Sequence, residues 1–139
     1  MTYQAVSKAL NISDNIKSLY DLMLLSRKGL FKSAINSLAQ LLELSQKELV
    51  DYLPISERTL QRYEDDRKLS PELSDHVIQL ARVYAKAEEV FGDRDKAVQW
   101  LKYPNYALGA VTPISCLDNF SGIQLIMDEL GRIEYGVYA

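Results

Sequence analysis

The feature that most restricts the fold of this chain is the recurrence of apolar residues every three or four positions, clearest between Pro71 and Phe91. There Leu73, Val77, Leu80, Tyr84, Ala87 and Phe91 follow one another at alternating steps of four and three, which sets them on one stripe of a helix with 3.6 residues per turn. Ser70 and Pro71 supply the start, an N-cap followed by a proline whose missing N–H costs nothing in a first turn. Gly92 supplies the stop. No stretch keeps the strict alternation of a half-buried strand for more than a few residues, so the spacing predicts an all-α chain.

The same rule marks the other helices. "DNIKSLYDLMLLSRKG" is expected to bury Ile16, Leu19, Tyr20 and Met23 and to end at Gly29, and "KSAINSLAQLLEL" to bury Ile35, Leu38, Ala39 and Leu42. "SQKE" reads as a capping box, Ser45 accepting from the Glu48 amide while Glu48 reaches back to that of Ser45. Leu49, Val50 and Leu53 then face inward and Pro54 ends the helix. Ser56 starts a short helix with Leu60 and Tyr63 on one side, and Asp93 caps another carrying Ala97, Trp100 and Leu101. "YPNYALGAVTP" reads as loop. A last helix from about Ser121 through Ile123, Ile126, Leu130 and Ile133 leads into the tail "GRIEYGVYA".

Composition narrows the function classes. A chain of 139 residues with 47% hydrophobic and 25% charged residues is the mixture of a soluble globular protein. Its longest apolar runs fall well short of the roughly 20 residues that cross a bilayer, and no basic-then-apolar leader opens it, so neither membrane nor export is expected. A single cysteine, Cys116, leaves no intrachain disulfide and no cysteine-rich zinc site, which suits a cytoplasmic protein. His76 is the only histidine and the six glycines are scattered, so neither a metal site, a Ser/His/Asp constellation nor a phosphate-cradling loop assembles. An enzyme is not expected, nor a cofactor. Net charge is −3, but it is uneven: Lys28 to Lys68 balances seven basic against seven acidic residues, whereas Ala87 to Ala139 carries four basic and eight acidic. Two halves of different charge point to two partners.

In "SQKELVDYLPISERTLQRYE" a capped short helix, a tight turn and a second helix with a polar first half form the grammar of a helix-turn-helix. Base edges are reached from the first turns of the second helix, while its apolar side packs on the first. Leu49, Val50, Ile55 and Leu60 are the packing residues. Glu57, Arg58, Thr59, Gln61 and Arg62 are left for the groove, where arginine suits guanine and glutamine adenine. Gln46, Lys47, Arg67 and Lys68 are placed for phosphates. One such helix reads few bases, so a homodimer on two-fold operator DNA is expected.

The residues Ser45, Gln46, Leu49, Leu53, Ser56, Thr59, Tyr63 and Glu64 resemble the Xre-type repressor pattern, with Pro54 standing where that pattern usually carries glycine. Further along, "VFGD", "WL", "PN" with "ALG", "TP" and "RIEYGVYA" resemble the C-terminal domain of the Xre/ParS-like antitoxins that pair with RES-domain toxins in type II toxin-antitoxin modules. Ala110 stands where the family commonly has a second glycine. The resemblance covers about Ser33 to Ala139 and implies a non-enzymatic protein. Its helix-turn-helix would repress its own operon, and its C-terminal domain would neutralise a toxin that degrades NAD. On this reading residues 1–69 hold the N-terminal helices and DNA-binding domain, and residues 70–139 the long helix and toxin-binding domain. Trp100, Pro104, Asn105, Tyr106, Leu108, Gly109, Arg132, Glu134, Tyr135 and Tyr138 are the toxin-facing candidates. Met1 to Arg27, outside the firm resemblance, is left for the dimer contact or for packing on the long helix. The alternative is a stand-alone helix-turn-helix regulator with a C-terminal oligomerisation domain.

Overall fold

The computed structural model describes residues 3–136, and its regular elements there are all helical. In chain order they are α1 (Gln4–Leu10), α2 (Leu19–Lys28), α3 (Lys32–Leu41), α4 (Gln46–Val50), α5 (Glu57–Gln61), α6 (Pro71–Phe91), α7 (Arg94–Lys102) and α8 (Phe120–Tyr135). Short 3₁₀ turns, Tyr106–Leu108 and Pro113–Cys116, interrupt the loop between α7 and α8.

The long helix organises everything else. α1, α2, α7 and α8 all pack on α6, so the first helices do lie against it. Leu73, Val77, Ile78, Leu80, Ala81, Val83, Tyr84 and Ala87 are each 3% exposed or less. These residues occupy more than one stripe, because a helix surrounded on several sides must be apolar on several sides. One apolar cluster runs from Val6 to Leu130 without a break, so the helix-turn-helix and the C-terminal helices share a core.

Caps fall where the side chains allow. Ser18, Ser45, Ser56, Ser70, Asp93 and Asn119 each accept a hydrogen bond from an amide in the turn they open, and the capping box of Ser45 and Glu48 is complete. Gly29, Gly92 and Gly136, all at positive φ, follow α2, α6 and α8. The α4–α5 turn contains no residue at positive φ. With Pro54 in that turn, the chain instead tightens through Tyr52 N–H to Leu49 O (3.0 Å) and Leu53 N–H to Val50 O (2.9 Å).

The spacing misplaces one face. In α2 the buried residues are Leu22, Leu25 and Ser26, while Leu19 and Tyr20, expected inside, are 58% and 64% exposed. Ile16 is buried, but it precedes the helix. The helix is apolar around most of its circumference, so periodicity alone could not choose between its two apolar faces.

α3 ends without a basic residue in its last turn, and the carbonyls at and just beyond its end are reached from far along the chain. Arg94 Nε donates to Leu41 O (3.2 Å) and Lys102 Nζ to Glu43 O (2.7 Å). Cations at a helix C-terminus are favourable. Here they also fasten α7 to the end of the helix that leads into the helix-turn-helix.

Candidate DNA and toxin interfaces

Leu49, Val50 and Leu60 bury the inner sides of α4 and α5. Advancing 100° per residue from Leu60, Arg58 and Arg62 fall within about 20° of the opposite direction. Both are exposed and neither makes a hydrogen bond or ion pair within the described residues. Glu57 and Gln61 occupy one flank and are bonded to each other at 3.3 Å. Thr59 lies on the other flank, where its amide and hydroxyl are both engaged by the cap residue Ser56 (3.1 and 2.8 Å). Gln46 donates to Asn36 on α3 (2.7 Å), and Lys47 is exposed. Arg67 lies 4.1 Å over the ring of Tyr63, and Lys68 lies 5.7 Å from that of Phe31. Of the nine DNA-facing candidates, Arg58, Arg62 and Lys47 combine exposure, charge and freedom from local bonds among the described residues, and the two arginines stand on the outer side of α5 and its C-cap.

Lys32 was not among those candidates. Its Nζ donates to Tyr63 O (2.6 Å) and lies 3.7 Å from Asp65, so α3 supplies a cation to the C-terminal end of α5. A separation of 31 residues left no sequence signal for it.

In the second half, Asn105 closes a compact loop on itself. Its N–H donates to Val111 O (2.9 Å), its carbonyl accepts from Leu108 and Ala110 (3.0 and 2.9 Å), and its Oδ1 accepts from Ala107 N–H (2.8 Å). Asn105 therefore shapes the turn. Gly109 and Ala110 both take positive φ, +80° and +67°. The alanine sits in a conformation that costs an L-residue about 1–2 kcal/mol and glycine almost nothing. Ala110→Gly should stabilise the chain by up to about 1 kcal/mol, less than the relieved strain because glycine also loosens the unfolded state; thermal melting of the pair of proteins checks this.

This loop presents Tyr106, 96% exposed, with Pro104 and Gly109 also exposed and Leu108 partly buried against the core. Beside it Trp100 packs on Phe91 with ring centroids 5.6 Å apart. The two rings, with Lys96, Gln99 and Tyr103, line an open groove of about 330 Å³. Tyr103, 62% exposed, joins the candidates here, although its position next to Pro104 read only as loop.

The tail candidates are divided. Arg132 donates to Glu129 (2.9 Å), a carboxylate that is otherwise buried. Glu134 is paired with Lys86 of α6 at 2.6 Å. Tyr135 is 78% exposed, and Tyr138 lies outside the described residues. The α8 N-terminus packs on the turn Pro113–Cys116, and its 16 residues rise about 24 Å. No hydrogen bond or ion pair joins the loop 104–111 to residues 132–136 among the described residues.

The bond from Lys86 holds the Glu134 carboxyl below its ordinary value of 4.5, against the opposing effect of burial. A carboxyl whose folded value is lowered contributes stability above the unfolded value and loses it as pH falls through the folded one. The melting difference between the wild type and Glu134→Gln should accordingly be present at neutral pH. It should shrink as pH drops below 4.5 and vanish once the folded carboxyl is protonated.

Two known family domains match the chain in succession. Residues 21–82 match the antitoxin Xre-like helix-turn-helix domain and residues 86–136 the antitoxin Xre/MbcA/ParS C-terminal toxin-binding domain. The chain belongs to the Xre antitoxin family, with a helix-turn-helix DNA-binding domain and a C-terminal toxin-binding domain. It is 30% identical to the antitoxin Xre of Yersinia enterocolitica over 115 residues, 81% of this chain and 78% of that protein. With the antitoxin Xre of Photorhabdus laumondii it shares 44% identity over 71 residues, 50% of this chain and 48% of the relative. The fold resembles a chain of the Mycobacterium tuberculosis MbcT-MbcA toxin-antitoxin complex, with a TM-score of 0.55 and 23% identity over 76% of this chain and 94% of that one. α6 crosses from the first matched domain into the second.

Proposed function

We propose that this antitoxin neutralises a RES-domain toxin that degrades NAD, and that it represses its own operon as a homodimer. It acts in the cytoplasm and catalyses nothing itself. Residues 1–69 bear on DNA, with Arg58 and Arg62 on base edges and Lys47, Arg67 and Lys68 on phosphates. Residues 70–139 bear on the toxin through the Trp100 groove, the loop tip at Tyr106 and the end of α8. The observation that supports this most is the closed loop that holds Tyr106 fully in water. A rigid aromatic side chain loses little freedom when it docks, which is what an interface anchor requires. On the DNA side, two arginines that nothing local neutralises are free to replace phosphate counterions or to meet guanine.

Co-expression with a RES-domain toxin is the test. The two should co-purify, and cellular NAD should fall when the toxin is made alone and be maintained when both are made. A chain that neither captures that protein nor preserves NAD would refute the toxin assignment and leave a regulator.

A further inference from the structure

α2 turns an apolar stripe to solvent that nothing in the described fold covers. Tyr20, Met23, Leu24 and Arg27 stand at i, i+3, i+4 and i+7, one continuous face of the helix. Leu19 flanks them. Leu19, Tyr20 and Leu24 are 58%, 64% and 42% exposed, and Arg27 is exposed without a hydrogen bond or ion pair among the described residues. Leu22, Leu25 and Ser26 already serve the core from the other side.

We infer that this stripe is where two copies of the chain meet, α2 against α2 and antiparallel about a two-fold axis between Met23 and Leu24. The inference rests on the dimeric repressor proposed above and names its contact. The charges on the helix select the occupant and its direction. Asp21 lies in the first turn, where its Oδ2 accepts from Lys17 N–H (2.9 Å) and keeps its negative charge, while in the last turn Lys28 is paired with Asp14 (3.0 Å) and Arg27 is left free. A second copy running antiparallel brings its Arg27 over the Tyr20 ring and beside Asp21, and two-fold symmetry makes each of those contacts twice. It also sets the helix dipoles head to tail. A parallel copy would oppose like charges instead.

The placement also positions the reading heads. Leu69, which follows α5, donates its N–H to Leu30 O (2.7 Å) just after α2. A symmetry axis at α2 therefore fixes one α5 relative to the other.

Sedimentation equilibrium of the full chain tests this, with far-UV circular dichroism to verify folding. The wild type should be a dimer. Leu24→Glu, at a half-exposed position that tolerates the charge in a monomer, should raise the dimer dissociation constant by about 100-fold or more. Arg27→Glu should raise it by about 10-fold. Unchanged association of folded Leu24→Glu and Arg27→Glu would overturn the inference. So would a monomeric wild type, or a Leu24→Glu protein that stays dimeric but no longer captures toxin. Toxin capture by a monomeric wild type would refute this contact and the homodimer and leave the toxin assignment standing. A dimer that depends on α2 yet captures no toxin would do the reverse.

Discussion

Gly122→Ala should destabilise the chain by about 3 kcal/mol or more, at the upper end of what overpacking costs. Helix propensity argues the other way, because alanine is favoured over glycine within a helix by about 1 kcal/mol. Geometry decides. A Cβ on Gly122 would lie 1.7 Å from the Cys116 carbonyl oxygen and 2.8 Å from its carbon, and both are backbone atoms that no rotamer change can move. The first turn of α8 would have to lift off the turn Pro113–Cys116. That separation would also disturb Leu117, whose carbonyl lies 2.9 Å from His76 Nε2. Gly131→Ala, in the same helix with nothing within 4 Å of its Cβ, should instead stabilise by up to about 1 kcal/mol. Melting temperatures of the two variants should move in opposite directions, by roughly 4 °C per kcal/mol for a chain of this size. Equal melting of wild type and Gly122→Ala would mean that α8 does not rest on that turn.

Arg58→Ala with Arg62→Ala should abolish operator recognition without unfolding the protein. Arginines in contact with bases contribute about 1–3 kcal/mol each, so together they should cost 30-fold or more in affinity, read by fluorescence anisotropy at fixed salt. Both side chains point away from Leu60 and neither is tied to a neighbour within the described residues. Truncating them removes no hydrogen bond or ion pair among the described residues, and the melting temperature should stay within a degree or two. Gln61 and Thr59 carry a different expectation. Gln61 is bonded to Glu57 and Thr59 belongs to the Ser56 cap, so each would have to release a local bond to reach a base.

Much of this architecture was legible from spacing and caps. The stripe from Leu73 to Ala87, the capping box at Ser45 and the stops at Gly29 and Gly92 each depend on residues within a few positions of one another, and each is found in the structure. What could not be read depends on distance along the chain. Lys32 at the end of α5, and Arg94 and Lys102 at and just beyond the end of α3, join segments whose pairing only the folded core creates. α2 failed for another reason: with apolar residues on most of its surface, its sequence is satisfied by either orientation. In the candidate interfaces, residue type placed Arg58, Arg62 and Tyr106 only among nine DNA-facing and ten toxin-facing candidates. It could not tell that Asn105 spends its carbonyl oxygens inside its own turn, or that Arg132 and Glu134 are already paired. Ala110 is the converse case, because the expectation of glycine at that position is met by a backbone at positive φ that alanine occupies under strain.

The central claim is that two separable faces on one core serve DNA and toxin. It is tested most directly by measuring both affinities, for operator DNA and for a RES-domain toxin, in two variants. Tyr106→Ala should weaken toxin binding by about 30-fold, the loss expected of an aromatic anchor, and leave operator affinity unchanged, while Arg58→Ala with Arg62→Ala should do the opposite. Full toxin affinity in Tyr106→Ala, or loss of both activities in either folded variant, would contradict it.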